Sequence, residues 1–224
     1  MAGLPSIVWG GESRRVVLAV HGAHGNKRDA LMAMVASVAV ALGHQVVSVD
    51  LPGHGDRTDG DRLVPWAFVP ELLAVHDCLS AEGSRQVSLV ACSLGAYFSL
   101  QALATRPLRR ALLLSPLVDM AAYIRRQLKV RSLTEEHLRL AGTIPVPYGQ
   151  PLTWRYFRYA CEHPVDWPHR TRVLWGRHDD VVPREDIERF AAHSGAPVTV
   201  LDTGHSFGPE QDPVVRGWLE EGLV

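Results

Sequence analysis

Lysine, cysteine and long apolar stretches are all scarce in this chain. Lys27 and Lys129 are the only lysines among its 23 Lys and Arg residues, and that preference for arginine points to no function. The three cysteines, Cys78, Cys92 and Cys161, make no even set and no Cys-x-x-Cys pair. This argues against a disulfide framework and for a reducing compartment. No basic segment leads into an apolar core near the start, so no secretory signal is expected and the chain reads as cytoplasmic. The longest uncharged apolar run, residues 30–42, falls short of the about 20 residues that cross a bilayer. It reads as a buried helix, and no stable membrane insertion is expected. A formal net charge of −1 supplies no drive toward nucleic acid or an anionic surface. The 11 histidines include His21-x-x-His24, but no carboxylate-rich spacing completes a ligand set. Neither a metal nor a cofactor is expected. Nothing in the sequence sets an oligomeric state.

What is present is an alternation. The 224 residues suit one α/β domain with a sizeable core. β-branched runs at 15–20, 45–49, 86–91, 110–115, 171–175 and 197–201 read as buried strands. Helix-length segments separate them at 29–42, 65–81, 95–105, 184–194 and 212–221. Strands spaced by helices predict a mostly parallel sheet covered on both faces. Residues 117–168 are too long for one crossover. Helical pieces near 118–129, 134–141 and 152–162, with a turn at 145–149, predict a small helical lid inserted after the strand at 110–115. The basic cluster Arg125, Arg126, Lys129 and Arg131 reads as its solvated face.

In a parallel sheet the loops after the strands gather along one edge, where ligands bind. Four such loops carry the chemistry. Ala91-Cys92-Ser93-Leu94-Gly95 lies between a strand and a helix, the setting of a nucleophile elbow. Small residues two before and two after the serine let the backbones approach, and here alanine stands at the first of these positions. His21-Gly22-Ala23-His24-Gly25 follows the first predicted strand, and its glycines allow backbone N–H groups to face a cavity. Acyl transfer needs two such donors for the developing oxyanion, assigned to Ala23 and Leu94. Asp179, past the strand at 171–175, is the preferred carboxylate to orient a histidine, with Asp180 and Asp119 as rivals. His205 lies beyond Gly204 in the last loop. The order Ser93, Asp179, His205 is that of nucleophile, acid and base in one known fold. The turn after the second predicted strand, Asp50-Leu-Pro-Gly-His-Gly55, reads as structural, His54 included, and His21 as a brace for its loop.

These motifs, His21-Gly22-Ala23, Asp50 to Gly55, Ala91 to Gly95, Gly176 to Asp179 and Gly204-His205, together resemble the α/β-hydrolase family from about residue 15 onward. Within it the chain is most similar to small serine carboxylesterases, including feruloyl-esterase-like and monoacylglycerol-lipase-like members. The resemblance implies Ser93 as nucleophile, His205 as base, Asp179 as acid, and Ala23 and Leu94 as oxyanion donors. Two departures are Ala91 and a short chain that leaves little room for the family's first strands. Centring the elbow on Cys92 would put Val90 and Leu94 at the small-residue positions, so Cys92 reads as a packed strand-end residue. The family's dehalogenases carry aspartate where Ser93 stands, which argues against that chemistry.

The expected activity is hydrolysis of carboxylic esters with small or medium acyl or aryl groups, the partner being a small-molecule ester. Leu117, Tyr123, Trp154, Phe157 and Phe207 are candidate pocket walls, although most aromatics at 154–159 read rather as anchors of the lid to the core. A thioesterase or peptidase/amidase on the same three residues, and a ligand-binding protein without turnover, stay open.

Overall fold

A computed structural model describes residues 4–81, 85–147 and 149–224. Its strands are β1 (Ser6–Trp9), β2 (Arg15–Val20), β3 (Gln45–Val49), β4 (Gln86–Cys92), β5 (Ala111–Leu114), β6 (Thr143–Ile144), β7 (Leu152–Thr153), β8 (Thr171–Gly176) and β9 (Val198–Leu201). Its helices are α1 (Ala30–Ala41), α2 (Pro65–Ser80), α3 (Ser93–Leu103), α4 (Met120–Lys129), α5 (Glu135–Ala141), α6 (Trp154–Glu162), α7 (Arg184–Ser194) and α8 (Asp212–Leu223).

Seven strands form the main sheet in the order β1-β3-β2-β4-β5-β8-β9. All pairs are parallel except β1 with β3. The antiparallel edge strand β1 was not anticipated. Four residues are too few to show a period, and its neighbours give no helix-length spacing to mark it.

Side chains alternate across the pleat. Val16, Leu18, Val20, Leu89 and Leu113 face one layer with α2, α3, α6 and α7. Val17, Ala19, Val90, Leu112 and Leu174 face α1 and α8 on the other. Both faces of the central strands are therefore buried, which is why those strands read as unbroken apolar runs. Each of these valine and leucine side chains contributes about 1.5–3 kcal/mol by leaving water. The apolar run at 30–42 is α1, with Asp29 capping it through the Met32 amide at 2.8 Å.

Between β5 and β8 the chain inserts α4, α5, the β6–β7 pair and α6. The helical pieces match those expected there, and Tyr148 of the expected 145–149 turn lies outside the described residues. Tyr156 on α6 packs against Trp66 of α2 and Tyr97 of α3, with ring centroids at 6.0 and 6.4 Å. Arg126 of α4 pairs with the buried Asp186 of α7 at 2.7 Å, and Arg189 reaches both Asp186 at 2.5 Å and Asp119 at 3.5 Å. The insertion is thus tied to the body by aromatic packing on one side and by ions on the other. Among the described residues no helix is long and apolar enough to cross a membrane.

Candidate active site

β4 runs directly into α3 at Ser93, whose φ of +48° lies in the left-handed region. For a residue with a side chain this costs on the order of 1–3 kcal/mol. The helix therefore starts at the serine itself, two residues earlier than the sequence pattern indicates. What permits the sharp turn is Gly95. A methyl group there would overlap the carbonyl oxygen of His21, so β2 and α3 meet only over a bare backbone. Ala91, by contrast, is a fully buried strand residue paired with Val20 and Leu113. Its methyl is accommodated within the packed layer, so the turn needs glycine after the serine and tolerates alanine before it.

Ser93 is 9% exposed, and its Oγ lies 2.8 Å from His205 Nε2. His205 Nδ1 lies 2.9 Å from each carboxylate oxygen of Asp179. The carboxylate accepts only, so Nδ1 carries the hydrogen and Nε2 is left to accept from Ser93. Asp179 Oδ1 also accepts from the amides of Val181 at 2.9 Å and Val182 at 2.8 Å. Burial pushes this carboxyl upward, and the bonds from His205, Val182 and Val181 outweigh it, holding Asp179 below the usual carboxylate range. The rivals are placed elsewhere. Asp180 is exposed, and Asp119 caps α4 through the Ala122 amide at 2.8 Å.

The loop after β2 lies beside the elbow because β2 and β4 are neighbours with Val20 opposite Ala91. The sheet order reverses here, β3 lying to one side of β2 and β4 to the other, which opens a crevice at the strand ends. A methyl on Gly22 would stand 3.2 Å from the Ser93 Cβ, so this loop and the serine are in direct apposition. Leu94 occupies the first turn of α3, where Cys92 offers no side-chain cap and backbone N–H groups have no helical partner. The loop that carries Ala23 thus lies against Ser93 through Gly22, and Leu94 follows Ser93 directly in the chain.

A model of the alpha/beta hydrolase family matches residues 16–216. The chain belongs to the alpha/beta hydrolase family. No curated protein sequence matches it. Among solved structures, this alpha/beta hydrolase is similar to Est1E from Butyrivibrio proteoclasticus with ferulic acid bound, at a TM-score of 0.80 and 17% identity over 97% of this chain and 93% of that one. It is similar to alpha/beta hydrolase domain-containing protein 10 from mouse, at 0.76 and 16% over 96% and 92%. It also resembles XC6422 from Xanthomonas campestris, described as an a/b serine hydrolase without lid, at 0.68 and 17% over 97% and 87%. At such identities the likeness is one of fold.

The expected pocket walls scatter. Leu117 touches the elbow, its amide donating to the Ser93 carbonyl at 3.1 Å. Phe157 is buried against Trp154, centroids 5.6 Å apart, with the Arg125 guanidinium 5.0 Å from its ring. Such packing anchors the insertion. Phe207 packs with the opposite layer, that of α1 and α8. Tyr123 is half-buried and packs against the α2–α3 layer. A cleft of about 350 Å3 between α4, α6 and α7 is bordered by Tyr97, Val118, Arg125, Arg189 and Phe190, and by none of these five candidates.

Sequence reasoning set aside two groups that shape this site. Asp50 is fully buried and accepts from the Lys27 amide at 2.8 Å, the Asp56 amide at 2.9 Å and the Lys27 ammonium. Lys27 also pairs with Asp56 at 2.5 Å. Burial works against both charges, yet their mutual bonds prevail, holding Asp50 below and Lys27 above their ordinary values. One of the chain's two lysines is therefore an internal tie between the loops after β2 and β3. The second group is His54, whose Nδ1 lies 2.9 Å from the Pro52 carbonyl and whose Nε2 lies 2.5 Å from that of Ala23. A Pro-Gly-His-Gly turn gives no sign of which neighbouring loop its histidine will reach. His21 lies inside its loop as expected. Nδ1 donates to the Gly22 carbonyl at 2.7 Å, and Nε2 accepts from the Leu51 amide at 3.0 Å. Burial pushes this imidazole below its usual value, more than the Gly22 carbonyl raises it.

Proposed function

We propose that this alpha/beta hydrolase is a serine hydrolase that cleaves carboxylic esters of small or medium acyl or aryl groups. The observation that carries the reading is the continuous hydrogen-bonded line from Ser93 Oγ through His205 to Asp179. It starts at a serine lifted by a left-handed turn at the head of a helix.

In this mechanism His205 Nε2 takes the Ser93 proton as Oγ attacks the ester carbonyl carbon. The carbonyl oxygen becomes an oxyanion, held by the N–H groups of Ala23 and Leu94. Each donor accounts for roughly 100-fold or more in rate. Asp179 keeps the proton on His205 Nδ1 and stabilises the imidazolium. The imidazolium then protonates the departing alkoxide, and the alcohol leaves. Water, deprotonated by His205, attacks the acyl-enzyme and releases the acid. The insertion at 117–168 serves as a small lid on this edge of the sheet, with Leu117 and Tyr123 supplying apolar contacts to the substrate. Support for an ester substrate comes from the fold shared with Est1E, whose structure holds ferulic acid.

The test is a fluorophosphonate probe, with the adduct mapped by mass spectrometry and Ser93→Ala as control. Stoichiometric labelling at Ser93, lost in the variant, is expected. Well-folded protein that resists labelling would overturn the proposal.

A further inference from the structure

We propose that His54 is a positioning residue for the oxyanion loop, setting the direction of the Ala23 N–H by holding the carbonyl of the same residue. The inference rests on the ester-hydrolase reading and adds a residue to it.

Ala23 is gripped from both sides. Its own N–H belongs to the peptide whose carbonyl is that of Gly22. That carbonyl accepts from His21 Nδ1 at 2.7 Å and from the Gly25 amide at 3.1 Å. Its carbonyl belongs to the next peptide and accepts from His54 Nε2 at 2.5 Å. With both flanking peptide planes fixed, the backbone at Ala23 has no remaining freedom to turn its N–H away. The loop is otherwise half-buried and glycine-rich, with His24 exposed at its tip. Left to itself, such a segment explores several conformations.

The two histidines also share a foundation. His21 Nε2 accepts from Leu51 N–H, and His54 Nδ1 lies 2.9 Å from Pro52 O. Their rings stand 5.5 Å apart. The loop after β2 is therefore held on the loop after β3 through two imidazoles, one for each peptide that flanks Ala23. Both His54 nitrogens face carbonyl oxygens, which only accept. The neutral ring has a single N–H, which in this proposal sits on Nε2, toward Ala23.

Those two bonds can be separated by substitution. In His54→Gln the side-chain amide N–H reaches the Nε2 position and keeps the bond to Ala23. In His54→Asn it reaches the Nδ1 position and keeps the bond to Pro52. His54→Leu keeps neither. The wild type and the three variants are compared on 4-nitrophenyl butyrate for kcat and KM, with the rate of fluorophosphonate labelling and the melting temperature measured on the same samples.

A misplaced oxyanion donor costs transition-state stabilisation while ground-state binding persists. The expected result is a fall in kcat of about tenfold or more in the Leu and Asn variants, KM within about twofold, and substantial recovery in His54→Gln. Equal kcat in His54→Leu and wild type overturns the proposal. So does an Asn variant that matches or exceeds the Gln variant, which would mean that His54 only shapes its own turn through Pro52. A loss of kcat that follows melting temperature across the variants overturns it as well. If wild-type protein neither labels nor turns over, the hydrolase reading fails, and this inference with it. An active wild type with an indifferent His54 removes the inference alone.

Discussion

His205 Nδ1 stands equidistant from the two carboxylate oxygens of Asp179, 2.9 Å from each, while two backbone amides hold Oδ1 in place. An asparagine there retains the shape but can present an NH2 group to Nδ1, favouring the tautomer that leaves His205 Nε2 protonated and unable to accept from Ser93. Asp179→Asn is expected to lower kcat about 10³- to 10⁴-fold at neutral pH with KM little changed. Asp180→Asn, on the exposed neighbour, is expected to leave both near wild type. Steady-state kinetics of the pair decide between the two acids, and comparable losses in both would sink the assignment.

Burial pushes the Cys92 thiol up to about 12, so almost no thiolate exists there at neutral pH. Cys78 and Cys161 are exposed. Iodoacetamide applied to the native protein is expected to alkylate Cys78 and Cys161, to spare Cys92, and to leave hydrolase activity intact. Peptide mapping after quenching reads this directly. Rapid modification at Cys92 would place a reactive thiol at the elbow.

The Lys27–Asp50 tie is a buried pair, and removing one partner strands the other charge in the interior. Lys27→Met or Asp50→Asn alone is expected to cost about 3 kcal/mol or more in urea unfolding. Lys27→Met combined with Asp50→Leu should be much closer to wild type than the sum of the single losses. A double variant as unstable as the two losses added together would show that the charges are not coupled.

His44 is buried, and burial together with Arg15, Arg109 and Arg110 pushes its imidazole down to about 4, from 6.5 ordinarily. As pH falls from 6.5 toward 4, the unfolded chain takes up a proton at this position and the folded chain does not. The stability that His44 contributes is therefore complete above pH 6.5 and declines through that window. His44→Gln should remove this share of the slope. Urea midpoints at pH 7 and pH 5 test it, and equal slopes in variant and wild type would rule the effect out.

The alternation of strands and helices was legible because the central strands are buried on both faces and the helices between them have room to cross. The strand β1 was not, being four residues at an edge. Within the site, Ser93, Asp179 and His205 stood out because each needs its own residue type at a strand end, and a sequence records residue types faithfully. Lys27 and His54 were opaque for the opposite reason. Their significance lies in a contact across two loops, 23 residues apart for Lys27 and Asp50 and 31 for His54 and Ala23. No local pattern encodes such contacts. The pocket candidates were the least readable, since an aromatic at helical spacing looks the same whether it lines a cavity or, like Phe157, packs against Trp154 and Arg125.

β5 gives no side chain to the Ser93–His205–Asp179 line, yet it lies between β4, which leads to Ser93, and β8 and β9, which lead to Asp179 and His205. Its four residues, all buried, pair with Leu89–Cys92 on one side and Thr171–Leu174 on the other. Two strand spacings, roughly 10 Å, separate β4 from β8. A hydrogen bond tolerates a few tenths of an ångström. β5 is in effect a gauge block: its backbone pairing with both neighbours sets the gap that the hydrogen-bonded line from Ser93 to Asp179 spans.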